Sequence, residues 1–438
     1  MKFKQQLMLL GIVLSANAMG GSIDYLSQQD AEYLAHPAMV GKVGVSGAYY
    51  NPAGTVWLED GTYIQINNQT HLKDYRMEHT NSSGETSKFK SDKASPVVPS
   101  LQIVKKKGDT AFFFHAGAIA GGGSVAYSGG IATFPQIIES DPIFKMIGAE
   151  YVGGSTIHGK SYYVAFQGGV ARKFNEAWSG AVGIRLVDAE RKFKGEGNFE
   201  YNNLSGKLGS GKAKFDIDSE RTAFGVAGIF GLNYQPNDRF NLGLRYETET
   251  KLDFDNKEHK LRNGFNTSTG TPILGNLFYD KVSKDPAIRQ WMSEGSGKRN
   301  LPAIAAIGAS YRATEKLTLL ASGNYYFIKE TSDDLGNFDH YDNGYEVAVG
   351  LDYQLNEKWT LMTGYQYTDT GANEKTYTDT DYVLDANMYS AGVKYRYSSQ
   401  LELMATYSYV SYVNDKNIKN IKYSKHVDAF GLGLIYKF

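Results

Sequence analysis

The feature that most constrains this chain is a two-residue alternation of apolar and polar side chains, repeated from about Thr62 to the last residue. Because alternate side chains of a strand point to opposite faces, each repeat predicts an amphipathic strand. In the final segment, one parity carries only apolar residues, at Phe430, Leu432, Leu434, Tyr436 and Phe438. The other parity is mostly small or polar and ends at Lys437.

The same alternation recurs in several earlier segments, with charged residues on the parity opposite the apolar stripe. Apolar positions include Val182, Ile184, Phe224, Val226, Val347, Val349, Leu361 and Leu403. Tyr or Trp stands at the ends of many stripes, as in the aromatic girdles at the two interfaces of a membrane. A soluble β-sandwich, the alternative, would bury one parity but has no reason to place aromatic rings at both ends.

The connections between these segments alternate in length. Six are short, near residues 107–109, 175–176, 236–238, 314–315, 356–357 and 398–399. Seven are long, at about 76–95, 128–155, 200–212, 256–298, 330–342, 370–381 and 413–425. Short turns at one end and long loops at the other are typical of outer-membrane barrels, whose short turns are periplasmic. The pattern therefore predicts an all-β fold, a fourteen-stranded antiparallel transmembrane β-barrel over residues 61–438.

Composition and motifs narrow the function. The formal net charge of −1 gives no electrostatic argument for a nucleic-acid partner. Cysteine is absent, which excludes disulfides and thiolate metal ligands. The histidines are scattered without a nucleophile, zinc-hydrolase, P-loop or calcium-loop motif, so we predict no enzyme activity, no metal and no cofactor. His115 falls on the predicted lumen parity and is interpreted as a structural residue.

The amino-terminal region divides into two parts. Lys2 and Lys4 precede an apolar stretch at residues 7–14, and residues 16–18 read Ala-Asn-Ala. This pattern predicts a signal peptide over residues 1–18, and hence export. Residues 19–60 are rich in small residues and lack the strand pattern, so we expect them to fold into the lumen as a plug.

One motif just before the first predicted strand carries a family resemblance. The residues are Asn51, Pro52, Ala53 and Gly54. They resemble the NPA signature of FadL/TodX-type transporters, fourteen-stranded outer-membrane proteins with an amino-terminal hatch. The resemblance implies passive uptake of long-chain fatty acids or other hydrophobic small molecules. A general porin or a surface adhesin barrel remains the alternative.

Three partners are expected for such a protein. They are the transported hydrophobic molecule, the lipid of the outer membrane around the barrel, and the barrel-assembly machinery, which would recognise the strand ending in Phe438. A monomer is expected.

Two of the long loops carry apolar residues at helical spacing, which is unusual for segments that face water. The candidates are Phe134, Ile137, Ile138, Phe144 and Ile147 in the first loop, and Leu274, Leu277, Phe278 and Trp291 in the second. The resemblance implies that they form an outer hydrophobic groove where the ligand first docks. Alternatively, the two loops bury these faces against each other as a lid.

Gly121, Gly122 and Gly123 interrupt the third predicted strand. Three glycines weaken a strand and permit a bulge or kink. The resemblance implies that this kink opens the wall sideways, and the alternative is a strand that simply ends at a glycine-rich loop.

A carboxylate drawn into a lumen of low dielectric constant needs a cation or several donors. The candidate cations on the lumen parity are Arg185, Arg245, Lys394 and Arg396. They could instead pair with Glu247, Glu346 or Asp352.

Overall fold

The computed structural model describes residues 27–91, 93–202, 210–264, 280–292, 295–334 and 338–438. Fourteen long strands form one closed antiparallel barrel. In chain order they are β1 Gly61–Thr80, β2 Ser95–Lys107, β3 Thr110–Tyr127, β4 Thr156–Lys173, β5 Trp178–Asn202, β6 Ser210–Tyr234, β7 Phe240–Glu247, β8 Ile304–Arg312, β9 Leu317–Tyr326, β10 Gly344–Gln354, β11 Trp359–Asp369, β12 Ala386–Arg396, β13 Leu401–Tyr412 and β14 Lys422–Lys437. The predicted fold class is confirmed.

Shorter elements lie before the first strand and in the long loops. The helices are α1 Gly47–Tyr50, α2 Thr133–Ser140, α3 Pro142–Met146 and α4 Pro286–Met292, with 3-10 turns at Pro52–Trp57 and Phe338–His340. Short strand segments are Thr86–Ser91, Ala149–Tyr151, Asp253–Gly264, Gly297–Lys298 and Asp415–Lys416. Within the described ranges, no helix combines the length and apolar character needed to cross a membrane.

The last strand closes the barrel against the first. β14 pairs with β1 from Lys437 opposite Tyr63 to Lys422 opposite Glu78. The six short connections predicted from sequence all join consecutive barrel strands at the end of the barrel where Lys437 pairs with Tyr63. Each strand is hydrogen-bonded to its sequence neighbours, so the fold is an up-and-down barrel in which closure removes the free edges.

Side-chain exposure confirms the predicted parity. Val349 and Leu432 are 57% and 65% exposed on the outer face, where lipid would cover them, whereas Arg185 is 3% exposed in the lumen. Aromatic pairs stand near the short-turn ends of neighbouring strands, where the ring centroids of Trp359 and Tyr395 are 4.4 Å apart. The outer face is therefore an apolar band with an aromatic border.

Residues 27–60 lie in the lumen as a plug, which we call the hatch. A barrel of this size is too wide for wall side chains alone to fill. The hatch main chain lies directly against the wall, because a Cβ atom at Gly243 would overlap the Val40 carbonyl and one at Gly308 would overlap the Gly41 amide. Glycine is needed at these wall positions to permit the close approach.

Candidate functional site

A pocket lies in the lumen between the hatch and the long loops. The space between its lining residues is about 870 Å³, open solvent included. Six aromatic side chains line it: Tyr75, Tyr127, Phe193, Trp291, Tyr382 and Tyr412. Six charged residues also line it: Lys160, Arg191, Lys192, Asp379, Asp381 and Lys425. The combination suits a largely apolar molecule with a polar group at one end.

Lys425 is held among tyrosine rings at the edge of this pocket. Its Nζ atom lies 4.4 Å from the centroid of the Tyr412 ring and 5.3 Å from that of Tyr382. The ammonium donates to the Tyr382 carbonyl at 2.9 Å. In the part of the chain that the structure describes, no carboxylate lies within ion-pair distance of the Lys425 ammonium, and Asp381 is near enough to interact with it. Lys425 is not among the predicted cations, because the predicted loop extends to residue 425, although the alternation runs from Tyr423 through Val427.

Helix α4 covers the pocket. Trp291 stacks on Phe193 with centroids 5.1 Å apart and an interplanar angle of 14°. The Arg191 guanidinium lies 4.7 Å from the Trp291 ring and donates to Gln290 Oε1 at 2.9 Å. These contacts tie the helix to β5 at the edge of the pocket.

The apolar loop residues predicted to form a docking groove are buried in this structure. Phe134, Ile137, Ile138, Phe144 and Ile147 are each at most 7% exposed and belong to the same apolar cluster as Trp291. Leu274, Leu277 and Phe278 lie outside the described residues. The described apolar loop residues are therefore covered by protein in this structure. A docking groove would require this packing to open, and both the groove and the lid stay predictions.

Strand β3 is irregular at the predicted glycines. Its pairing with β4 changes register between Ala118 and Ala120 and again before Gly123. Gly121 and Gly123 have φ angles of +97° and +67°, and a Cβ atom at Gly121 would overlap the Ser161 carbonyl of β4. Glycine permits this backbone, which other residues rarely adopt.

Beside this irregularity, the wall is interrupted. The ladder between β2 and β3 ends where Leu101 pairs with Ala116. Beyond that point, within the described residues, β2 pairs only with β1 and β3 only with β4. We call the gap between residues 95–100 and residues 117–125 the seam. It closes again where the Ala126 amide donates to Ser91 Oγ at 3.0 Å. Gly123 borders both the seam and the pocket.

Two prolines mark the seam in the sequence. Pro96 and Pro99 lie in β2, which otherwise reads as an ordinary strand. Proline has no amide hydrogen and is confined in sheets to edge strands, strand starts or bulges. The two prolines are therefore a sequence signal for an edge of β2 at the opening, whereas the prediction of an opening relied on the three glycines of β3.

The hatch motif fixes the hatch to the wall. Asn51 caps the 3-10 turn that begins at Pro52, with its Oδ1 accepting from the Gly54 amide at 3.1 Å. The Ala53 carbonyl then accepts from Ser179 Oγ at 2.7 Å on β5. The predicted motif therefore shapes the turn that joins the hatch to the barrel.

A charged network anchors the hatch on the opposite wall. Glu32 pairs with Lys394 at 2.6 Å and with Lys42 at 3.0 Å, and Lys42 also pairs with Asp352 at 2.6 Å. Burial alone would raise the pKa of the Glu32 carboxyl, but the two lysines outweigh burial and hold that pKa below its ordinary value. Burial and the nearby Glu32 charge raise the pKa of Asp30 to about 6.

The four cations predicted from sequence do not meet in one site. Arg185 donates to Glu247 Oε2 at 2.5 Å, and Arg245 pairs with Glu247 Oε1 at 3.2 Å. Lys394 belongs to the hatch network, whereas Arg396 is largely exposed beside Glu402. Arg185 and Arg245 also flank the ring of Tyr49, below the pocket. None of the four lines the described pocket.

A closed barrel with an internal hatch, a lumen pocket and an interrupted wall defines a class, the plugged transmembrane barrels. The model of one family, described as outer membrane protein transport protein (OMPP1/FadL/TodX), matches residues 27–437. The chain belongs to this family, which consists of outer-membrane β-barrel transport proteins.

Solved structures share the fold at low sequence identity. A FadL homologue from Pseudomonas aeruginosa gives a TM-score of 0.67 at 15% identity, over 95% of this chain and 100% of that chain. The toluene transporter TodX from P. putida gives 0.64 at 14% identity, over 94% and 99%. The monoaromatic hydrocarbon channel CymD gives 0.55 at 12% identity, over 93% and 99%. A search of curated protein sequences finds no significant match.

Proposed function

We propose that this protein is a passive transporter that takes up long-chain fatty acids or similar hydrophobic compounds. The ligand is captured by the long loops, moves into the aromatic pocket, and leaves sideways through the wall at β3. One observation carries the proposal: the pocket and the seam share Gly123 as a border. A molecule in the pocket therefore lies next to an interruption of the barrel wall.

A sideways exit is physically favoured over a straight path. The hatch fills the lumen on the short-turn side of the pocket. A chain leaving there would be rehydrated at a cost of about 0.8 kcal/mol per methylene. Exit into the membrane keeps the chain in an apolar medium throughout.

The charges of the pocket favour an amphipathic ligand. Lys425 and Arg191 reach the pocket from different strands and can hold a carboxylate while the aromatic rings cover the chain. The neighbours named as transporters or channels for toluene and monoaromatic hydrocarbons raise a second ligand class, which the rings alone would suit. Native mass spectrometry of detergent-exchanged protein distinguishes the two by the mass of a co-purified molecule.

The exit is tested by replacing Gly121, Gly122 and Gly123 with Val, Thr and Val. Straightening β3 should close the seam, because side chains at these positions do not fit the kinked backbone. Uptake of labelled palmitic acid should fall sharply, while surface binding and heat-modifiable migration of the folded barrel persist.

The matched control for this variant is Gly84→Ala. Gly84 also has a positive φ, of +86°, but lies in a loop with open space around its Cα atom. Its replacement should leave uptake unchanged. Normal uptake through the folded triple variant would refute the sideways exit and favour a general porin.

A further inference from the structure

Two side chains bridge the seam where ladder bonds between β2 and β3 are missing. Gln29 of the hatch donates from Nε2 to the Ala118 carbonyl at 2.9 Å. Lys73 of β1 donates from Nζ to the Ser124 carbonyl at 2.6 Å. Both carbonyls belong to the part of β3 that has no β2 pairing within the described residues. The seam is thus closed by side chains, which can rotate away, rather than by a continuous ladder.

The two bridges differ in charge. The Gln29 side-chain amide is neutral, and the Gln29 main-chain carbonyl accepts from Gln102 Nε2 of β2 at 3.3 Å, just beyond the seam. Lys73 is a cation on the lumen parity of β1, only 4% exposed. Its side chain extends past β2 to reach β3. Only the Lys73 bridge can distinguish an anion from a neutral molecule.

Lys73 is also next to the pocket. Its Nζ atom lies 5.8 Å from the centroid of the Tyr75 ring, and the Nζ atom of Lys425 lies 5.5 Å from the same centroid. Tyr75 lines the pocket, and Ser124 directly follows Gly123 at the border of pocket and seam. An anionic headgroup held by Lys425 therefore has a second cation one tyrosine ring away, at the opening.

We propose that Lys73 is an exit site for the carboxylate headgroup of the substrate. In the empty protein its ammonium closes the seam through the Ser124 carbonyl. A carboxylate carries a full charge and binds an ammonium more strongly than a carbonyl does. The arriving headgroup therefore displaces Ser124 from Lys73, and the seam bond is released when an anion is present. This inference rests on the proposed sideways exit, and it identifies the substrate class as amphipathic monocarboxylates.

The test compares palmitic acid with methyl palmitate, which differ in the charge of the headgroup. Lys73→Gln keeps a donor for Ser124 but removes the charge. Uptake of the acid should fall about tenfold, the effect of losing about 1.4 kcal/mol of headgroup binding at the exit. Uptake of the ester should stay within about twofold of the unmodified protein. Lys73→Arg, which keeps the charge, should retain most uptake of the acid.

Lys88→Gln is the matched control, because Lys88 is a strongly exposed lysine beside the same strand and pairs with Glu78 at 3.2 Å. It should change the uptake of neither compound. Equilibrium binding of the acid to detergent-purified Lys73→Gln should also stay within about twofold, because Lys425 remains in the pocket.

Equal loss of acid and ester uptake in Lys73→Gln would overturn the inference, as would a loss of acid binding that parallels the loss of uptake. Either result leaves the sideways exit standing if the glycine variant still blocks both compounds. Normal transport of both compounds through the glycine variant would instead refute the proposed function itself.

Discussion

Two parts of the barrel wall satisfy their backbone hydrogen-bonding groups in different ways. From Tyr345 to Gln354, every residue of β10 pairs with β11, and this sheet continues without a break to β12. β2 and β3 pair only from Leu101 to Lys107. In lipid, unpaired backbone groups cost several kcal/mol each, so both parts must satisfy their carbonyls. The continuous sheet does so with ladder bonds, whereas at the seam the Ala118 and Ser124 carbonyls accept from Gln29 and Lys73.

The hatch is attached to these two parts by different chemistry. On the continuous sheet it is held by ion pairs, from Glu32 to Lys394 and from Lys42 to Asp352. At the seam it is held by the neutral amide of Gln29. The hatch therefore has a side held by ion pairs and a side held by neutral hydrogen bonds, which we call the fixed side and the releasable side.

The largest expected effect is on the continuous sheet. Val349→Arg should lower the free energy of unfolding in lipid by about 2–4 kcal/mol, because the charge enters the apolar outer face. The same change at Val97, on the outer face of β2 beside the seam, should cost less, because Val97 lies near the long-loop end of β2, where a charge is closer to the membrane interface. Folding titrations in lipid vesicles measure both variants, and the reverse order would contradict this assignment of the two positions.

The next effect concerns the fixed side of the hatch. Glu32→Gln removes a buried carboxylate between Lys42 and Lys394, and should weaken hatch docking by about 2–3 kcal/mol. Because the folded pKa of Glu32 is lowered, its stabilisation is present above the ordinary value of 4.5 and is lost as the pH falls below it. The raised pKa of Asp30 acts oppositely, since its protonation below about 6 favours the folded hatch. Docking should therefore be strongest near the two ordinary pKa values, 3.8 for Asp30 and 4.5 for Glu32, and should already weaken as the pH rises toward 6.

Hydrogen exchange of hatch amides, followed against pH in detergent micelles, checks this expectation. Glu32→Gln should remove the loss of protection at low pH, and Asp30→Asn should remove the loss at high pH. Protection that does not depend on pH in the unmodified protein would contradict the assignment of these groups.

The smallest expected effect is at the releasable side. Gln29→Leu keeps the side-chain volume but removes the bond to Ala118, and should destabilise the barrel by only about 1 kcal/mol. Uptake of palmitic acid and methyl palmitate should rise together, because a neutral bridge does not distinguish them. A rise for one compound alone would mean that Gln29 contacts the headgroup.

The local sequence pattern was enough to predict the strands of the barrel wall and which side chains face outward or inward. The parity of Val349 against Arg185, the six short turns and the closing strand at Phe438 follow from a period of two, which a strand imposes whatever surrounds it. The kink at Gly121–Gly123 was also predictable, because glycine marks backbone that other residues avoid. Pro96 and Pro99 carried the same kind of local signal for β2.

The candidate site could not be predicted in the same way. It depends on which residues far apart in the chain come into contact, and no local sequence pattern encodes those contacts. Arg185 and Lys425 are both lumen-facing cations, yet the first is neutralised by Glu247 and the second stands among tyrosine rings in the pocket. Gln29 and Lys73 read as ordinary polar residues until the fold sets them against Ala118 and Ser124. The sequence by itself determined the alternation that makes a barrel. Only the tertiary structure decided which charges remain available and where the wall is open, because both depend on contacts between residues far apart in the chain.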